Sequence, residues 1–483
     1  MKIGFLLQLL SKFAFAVSAV ILHVYLGRIL TVNSYGIVGI ILNLININYL
    51  FVSNGVRQSV SIFVSRQVYS WTDLVRKSAA FQLGIGGLLF AANYYGSWII
   101  ASLLGDHSLE KYISQTAFII PITALHFLCI GVLNGEQRFG AESGMTILYS
   151  VLRLLCIPLL LLFPSFDKLT LVIIGLIFAV LSSSLLGSAL VLKSHVRPKV
   201  AAQITFDELV RKSVALIFFY AGITLLMNVD TILLKRITND DQAVGFYTAA
   251  SSFSKIIYFI SVALISVITP VISKAYHGGD KFAAKALFLK GIDFLMLILA
   301  PVFIIVAASG RHLFAILYSK SYAASGGAFA VLVPAIFLLS LAVYLNTVVH
   351  AVSTVRNNSM SIFLLVINIV LNFLLVPILG SLGTGISLLI PSMLGCVIMI
   401  GPVQRVLETR VGMKQLSRHI CLLSVVVAAA TILYRCINFT DIYWLLISYL
   451  LLSGFSFLMM RALGLVGEDM LSLLQLVKTR DRI

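Results

Sequence analysis

The sequence predicts an all-α polytopic membrane protein of about 14 transmembrane helices: two pseudo-symmetric six-helix lobes followed by a C-terminal helix pair. Composition is the first ground for this. The 483 residues are 60% hydrophobic and 11% charged, with a mean hydropathy of +1.04, whereas soluble proteins carry about 25% charged residues. The second ground is that apolar runs of about 20 residues, the length a helix needs to cross a bilayer core, recur along the chain. The third is a weak internal repeat whose two copies each begin with an apolar run and a short polar elbow.

Taken in order, the runs fall near 5–27, 36–55, 79–100, 112–133, 142–163 and 170–192, and after a basic break near 213–234, 245–271, 287–308, 326–350, 359–379 and 383–402. Two more lie near 419–436 and 442–462. This divides the chain into an N-terminal lobe at 1–195, a cytoplasmic linker at 196–212, a C-terminal lobe at 213–402, and two extra helices with a tail at 403–483. The first run resembles a signal peptide in Lys2 and in Ala14-Phe15-Ala16, but Lys12 interrupts it and apolar sequence continues to Leu26, so it reads as an uncleaved span. Cys129, Cys156, Cys396, Cys421 and Cys436 lie in or beside apolar runs without paired spacing and read as packing residues, implying neither disulfide nor metal.

The formal charge of +17 is large for so few charged groups, yet no basic stripe with interleaved aromatics marks a nucleic-acid partner. The cations fall on alternate loops instead. With the amino terminus inside, inner loops hold Arg57, Arg66, Arg76, Lys77, Arg138, the break with Lys193, Arg197, Lys199, Arg211 and Lys212, then Lys274, Lys281, Lys285 and Lys290. They continue through Arg356, Arg405, Arg410, Lys414, Arg418 and the tail with Arg461, Lys478, Arg480 and Arg482. Outer loops hold Arg28, Lys111, Lys168, Lys235, Arg236, Arg311 and Lys320. This excess of about three to one places both termini in the cytoplasm.

Between Arg57 and Lys77, the residues Val60, Phe63, Val64, Val68, Trp71, Leu74 and Val75 recur at steps of three and four. They form either an amphipathic helix on the membrane face or an extension of the second span. Thr205 followed by Glu208 is a capping-box start for the helix into span seven. The adjacent Asp240 and Asp241 sit in a short loop and read as a turn. The repeat pairs Arg28-Ile29 and Tyr35-Gly36 with Arg236-Ile237 and Gly245-Phe246-Tyr247, and Arg138 with Arg356. Six spans per copy put both copies on the same side at their start. They are therefore parallel repeats, with a substrate site expected between the halves.

Asp230-Thr-Ile-Leu-Leu, then Ala243-Val-Gly-Phe-Tyr-Thr-Ala-Ala250, then Thr269-Pro270 with Ser273-Lys274, resembles the polysaccharide flippases of the multidrug/oligosaccharidyl-lipid/polysaccharide exporter superfamily. The first elbow from Gly27-Arg28 to Tyr35-Gly36, the Asn54-Gly55-Val56-Arg57-Gln58 stretch, and Pro377 with Gly380, Gly383 and Gly385 are similar to other parts of that family's pattern. The likeness covers about residues 1–400. It implies a bundle of two six-helix lobes that flips undecaprenyl-diphosphate-linked sugar units across the bacterial inner membrane for O-antigen, capsule or exopolysaccharide synthesis. A polysaccharide polymerase and a chain-length regulator are the partner proteins it implies.

Three cations stand inside apolar runs: Lys12 in span one, Arg153 in span five and Lys255 in span eight. Each costs about 2.5–3.5 kcal/mol at the bilayer centre, together about 8–10, unless it meets water, an acid or a ligand. A diphosphate headgroup suits them, gripped in a fork by arginine and as a point charge by lysine. The alternative, strongest for Lys12, is that they snorkel to a surface. Asp230 either takes up a coupling proton or sodium ion, or is structural, pairing with a buried cation or anchoring the elbow. Its place at the elbow of the family pattern favours the structural role. His23 and His126 read as hydrogen-bonded packing residues. Asn43, Asn46, Asn48, Asn54, Asn346, Asn368 and Asn372 either bond helices to one another, at about 0.6 kcal/mol each, or line a sugar cavity.

No metal-binding histidine pair, nucleophile elbow or phosphate-cradling glycine loop with lysine occurs, so no catalytic residue and no cofactor is expected, and transport is driven by an ion or substrate gradient. The nearest rival reading is a cation-coupled multidrug exporter of the same superfamily, which wants carboxylates in its cavity. A membrane polysaccharide polymerase or ligase is the rival of another class, and it wants a large outer loop with polar catalytic groups.

Overall fold

The computed structural model describes residues 2–66, 68–193, 202–352, 359–408, 413–463 and 465. Arg197, Lys199, Arg356, Arg410, Lys478, Arg480 and Arg482, counted above among the inner cations, lie outside them. The described chain is helical throughout, apart from short loops and one isolated parallel bridge between Tyr69 and Ala202.

In order, the helices are α1 (Lys2–Ile29), α2 (Val32–Tyr49), α3 (Arg57–Arg66), α4 (Trp71–Tyr95), α5 (Ser97–Leu104), α6 (Glu110–Ala117), α7 (Ile119–Gly135), α8 (Phe139–Leu152), α9 (Cys156–Leu162) and α10 (Lys168–Leu192). After the linker come α11 (Phe206–Leu226), α12 (Val229–Thr238), α13 (Asp241–His277), α14 (Lys281–Asp293), α15 (Ala300–Ala308), α16 (Gly310–Leu317), α17 (Ser325–Val352), α18 (Ser359–Leu379), α19 (Ser381–Leu407), α20 (Met413–Cys436) and α21 (Ile442–Ala462). Among the described residues 13 helices are long and apolar enough to span a membrane, or 14 when α4 and α5, bent by 62° at Gly96, count as one. The protein is thus an all-α, multi-pass membrane protein, and each of the 14 apolar runs read from the sequence corresponds to one of these segments.

Side chains set the helix starts. Thr31 accepts from Ser34 N at 3.2 Å to cap α2, and Thr205 accepts from Glu208 N at 3.2 Å to cap α11, as its spacing predicts. Asp240 Oδ1 accepts from Gln242 N and Ala243 N at 2.8 and 3.1 Å, which makes it the turn residue that starts α13.

The stripe between Arg57 and Lys77 does not lie on a membrane face. A π-helical turn, Leu50–Val56, carries α2 straight into α3, so that residues Val32–Arg66 form one 35-residue span. Val60, Phe63 and Val64 are buried with Leu128, Val132 and Leu133 of α7, with Ile204 and with Leu209 of α11. Gly135 permits this contact, since a Cβ there would stand 2.6 Å from that of Val64 and 2.8 Å from Ser61 O. A π-turn leaves carbonyls out of the regular ladder, and the Val52 carbonyl is met by the buried Gln82 amide, which also donates to Ala124 O at 3.1 Å.

Packing groups the residues into two compact units, Met1–Thr248 with Ser361–Pro377, and Ala249–Met360 with Ile378–Ile483. In the first unit, α1 packs on α8, and α7 packs on α3, α4 and α10. The linker end is tied down by hydrogen bonds. Tyr69 OH donates to Glu208 Oε1 at 2.7 Å, Ala202 N to Val68 O at 3.1 Å, and Lys77 Nζ to Asp73 and to Ile204 O at 3.0 and 2.8 Å. In the second unit, α17 and α19 lie along each other, and the C-terminal pair docks through polar contacts. Ser309 and Tyr449 hydroxyls meet at 2.6 Å, the His312 ring contacts Tyr434 O at 2.9 Å, and Tyr434 and Ser448 hydroxyls meet at 2.8 Å. All five cysteines are free.

Candidate functional site

The polar groups expected inside apolar helices assemble in the first unit around the elbow between α11 and α13. Asp230 stands in the first turn of α12, where helix amide dipoles favour a carboxylate, and it is 3% exposed. Its Oδ1 accepts from Asn372 Nδ2 at 3.1 Å, and its Oδ2 accepts from Tyr247 OH at 3.3 Å. Asn372 Nδ2 also donates to Asn368 O at 2.9 Å, one turn back on α18. Asn46 of α2 donates to Asn228 Oδ1 at 3.4 Å, just before α12. The elbow, α13 and α18 therefore present Asp230, Tyr247, Asn368 and Asn372 to one another in a buried set.

Several asparagines thus bond helices together. Asn48 and Asn93 exchange amide hydrogen bonds at 3.2 and 3.1 Å between α2 and α4, whereas Asn43 donates to Gly39 O at 2.7 Å within α2 itself. Asn54 lies at a position whose side chain is outside the described set. His23 Nδ1 meets Tyr35 OH at 2.8 Å, and His126 is buried against the Phe127 and Tyr149 rings.

Of the three cations singled out from the sequence, Arg153 and Lys12 belong to the first unit and Lys255 to the second. Arg153 sits in a 3₁₀ turn between α8 and α9 and is 6% exposed. Its Nε and Nη2 donate to Ser18 Oγ at 3.0 and 2.6 Å, and Nη2 donates to the Phe15 carbonyl. The guanidinium lies 4.3 Å from the Phe15 ring centroid and 5.5 Å from that of Tyr149, so it ties α8 to α1. Lys12, one turn before Phe15 on α1, is exposed. Lys255 belongs to the second unit, where it is half-buried on α13.

Two charged groups have a different place from the one the sequence suggests. Arg57 lies within the long second span, half-buried, donating to Ser53 O at 3.3 Å, with its guanidinium 5.9 Å from the Phe127 centroid. Lys235, counted above as an outer-loop cation, is 1% exposed and lies between two carboxylates. Its Nζ is 2.6 Å from Asp106 Oδ2 and 2.7 Å from Asp241 Oδ1. Burial alone would push the Asp106 carboxyl up, but the Lys235 ammonium and the Ser108 hydroxyl and amide outweigh it and hold the group below its ordinary value. Burial likewise opposes the charge of Lys235, and the two carboxylates overcome it and raise the lysine. No sequence pattern announces this triad, because Asp106 comes from a loop 129 residues away.

The two elbow motifs related by the repeat also meet. A Cβ on Gly36 would stand 2.1 Å from Asp241 O, one on Gly245 would stand 2.3 Å from Val32 O, and one on Gly39 would stand 2.0 Å from Thr248 Oγ1. Glycine at these positions lets α2 and α13 cross with their backbones nearly touching.

The fold is that of a multi-pass helical membrane protein with charged and amide side chains held inside it. The profile of the polysaccharide biosynthesis protein family matches residues 25–326, and the chain belongs to that family. Among solved structures, the lipid II flippase MurJ in an inward closed conformation is similar with a TM-score of 0.71 at 13% identity, over 95% of this chain and 98% of that one. An inward-facing multidrug resistance MATE family transporter of the MOP superfamily is similar with a TM-score of 0.65 at 14% identity, over 82% and 96%. At those identities the likeness is one of fold. No curated protein matches by sequence.

Proposed function

We propose that the protein flips undecaprenyl-diphosphate-linked oligosaccharide units from the cytoplasmic to the outer leaflet of the bacterial inner membrane by alternating access, with both termini in the cytoplasm. The observation that carries this reading is a cation committed to the interior of an apolar bundle: Arg153 is 6% exposed in a chain of the polysaccharide biosynthesis family. Arg153, Lys255 and Lys12 are the groups assigned to the diphosphate. Arg153 is fixed in place by Ser18 and Phe15, whereas Lys12 is exposed. A lipid-linked anion satisfies such cations, while the hydrocarbon tail remains among lipids.

Asp230 is assigned to coupling by a proton or sodium ion. Its carboxylate accepts from the Tyr247 hydroxyl and from Asn372 Nδ2, the same Nδ2 reaches both Asn368 oxygens, and Asn372 Oδ1 is a buried oxygen with no hydrogen-bond partner among the described residues. Oxygen donors of this kind suit a hard cation. The same carboxylate favours, as a second reading, a cation-coupled drug exporter; the MATE neighbour is described as a multidrug resistance transporter.

The test is complementation of a strain lacking the gene. Wild type restores surface polysaccharide. Lys255→Ala, Arg153→Ala and Arg153→Lys are expected to abolish it at unchanged membrane protein level. Wild-type polysaccharide from both alanine variants sinks the assignment, and drug resistance without polysaccharide favours the exporter.

A further inference from the structure

Asp106, Lys235 and Asp241 form the most enclosed ion cluster among the described residues of the first unit, and the activity proposed above makes no use of it. Its three members come from different segments. Asp106 follows α5, held by the left-handed Gly105 (φ 74°) and by accepting from Ser108 N and Oγ at 2.9 and 2.7 Å. Lys235 is in the last turn of α12, and Asp241 is in the first turn of α13. The chain path puts all three at the end of the unit opposite the linker, because α4 with α5 and α11 with α12 both run away from it.

We infer that Asp106 and Lys235 are a detachable latch that keeps this end of the transport path shut. Asp241 lies six residues from Lys235 on one elbow, so that pair moves together. Asp106 belongs to the first half of the repeat, and its bond to Lys235 must break whenever the halves part at this end. Lys235 then keeps Asp241 as counter-ion, which avoids the cost of an unpaired charge. Beside the latch, Gly36 crosses Gly245 and Gly39 meets Thr248, a contact of backbone and small side chains that parts and recloses without repacking long ones. The direction of opening rests on the alternating-access reading, but the latch itself is detectable without any substrate.

The experiment uses the full chain in detergent, with the five native cysteines replaced and one reporter cysteine added. Val244→Cys, at a buried position three residues after Asp241, reports on the latch end. Ser213→Cys, where the wild-type hydroxyl meets that of Ser59 at 2.7 Å, reports on the linker end. Adding Asp106→Asn is expected to speed alkylation of the Val244→Cys reporter by a water-soluble maleimide at least about tenfold, as a shift toward the open state requires. The Ser213→Cys reporter is expected to stay the same or slow, and Asp106→Glu is expected to stay near the parent rate. Asp241→Asn, which leaves Lys235 without a counter-ion once Asp106 lets go, is expected to slow the Val244→Cys reporter by more than about twofold and serves if Asp106→Asn does not fold. A latch-end rate within about twofold of the parent, or equal acceleration at both ends, overturns the latch. Loss of flipping in cells bears on the proposed function and leaves this result standing.

Discussion

Asn372 Nδ2 donates to Asp230 Oδ1 at 3.1 Å across 142 residues of sequence, inside helices that are otherwise apolar. A hydrogen bond to a buried carboxylate contributes about 1.5–3 kcal/mol, and losing the donor leaves the acceptor short of a partner. Asn372→Ala is therefore expected to lower stability by about that amount, measured by thermal unfolding in detergent. Asp230→Asn keeps the shape and removes the charge. If the carboxylate couples an ion, that variant loses polysaccharide export at normal protein level; if it only anchors the elbow, export survives.

Arg153 and Ser18 give a test of how the first helix is held. Two N–H groups converge on one hydroxyl, so Ser18→Ala is expected to cost about 1–3 kcal/mol. In an Arg153→Ala background the same change should cost much less. A double-mutant cycle checks this, and a coupling below about 0.5 kcal/mol refutes the bond as a stabilising tie.

Glycine positions separate packing from flexibility. Gly36→Ala drives a Cβ against Asp241 O, whereas a Cβ on Gly84 meets nothing within 4 Å. Gly36→Ala is expected to destabilise by at least about 1–3 kcal/mol through overpacking, while Gly84→Ala is expected to be neutral or mildly stabilising through helix propensity. Unfolding midpoints of the two purified variants decide the matter.

The triad sets a pH window. Asp106 is held below its ordinary 3.8, so its contribution is complete above that value and is lost as pH falls through the lower folded value. Lys235 is raised above 10.5, so its contribution is complete below 10.5 and is lost only as pH rises through the higher folded value. Between these limits the triad contributes a constant amount. Unfolding curves at pH 3 and pH 6 are expected to show the wild type losing more stability on acidification than Asp106→Asn; equal losses refute the assignment.

The helical runs were legible because a bilayer imposes a length that composition alone reveals. Thr205 and Asp240 were legible because capping is a local rule with fixed spacing. The stripe at Val60, Phe63 and Val64 announced a buried helical face but not what buries it, since Leu128, Leu133 and Leu209 approach from distant sequence. Lys235 was missed for the opposite reason. Charge near the end of an apolar run ordinarily means solvent, and only the loop that carries Asp106 overrides that expectation. The asparagines were recognisable as a set, but their partners depend on how α2, α4, α12 and α18 are brought together. Arg153 was identified as costly, whereas its ties to Ser18 and Phe15 required the geometry of α1.

The meeting of Gly36 with Gly245 has a bearing on the chain's ancestry. Motifs that a duplication would make siblings here act as each other's steric ground, so neither elbow is free to acquire a side chain, an insertion or a shift of register unless the other yields. Restraint of this kind operates between copies rather than within them. It ties the two halves to a common pattern at this crossing while the rest of each is free to diverge.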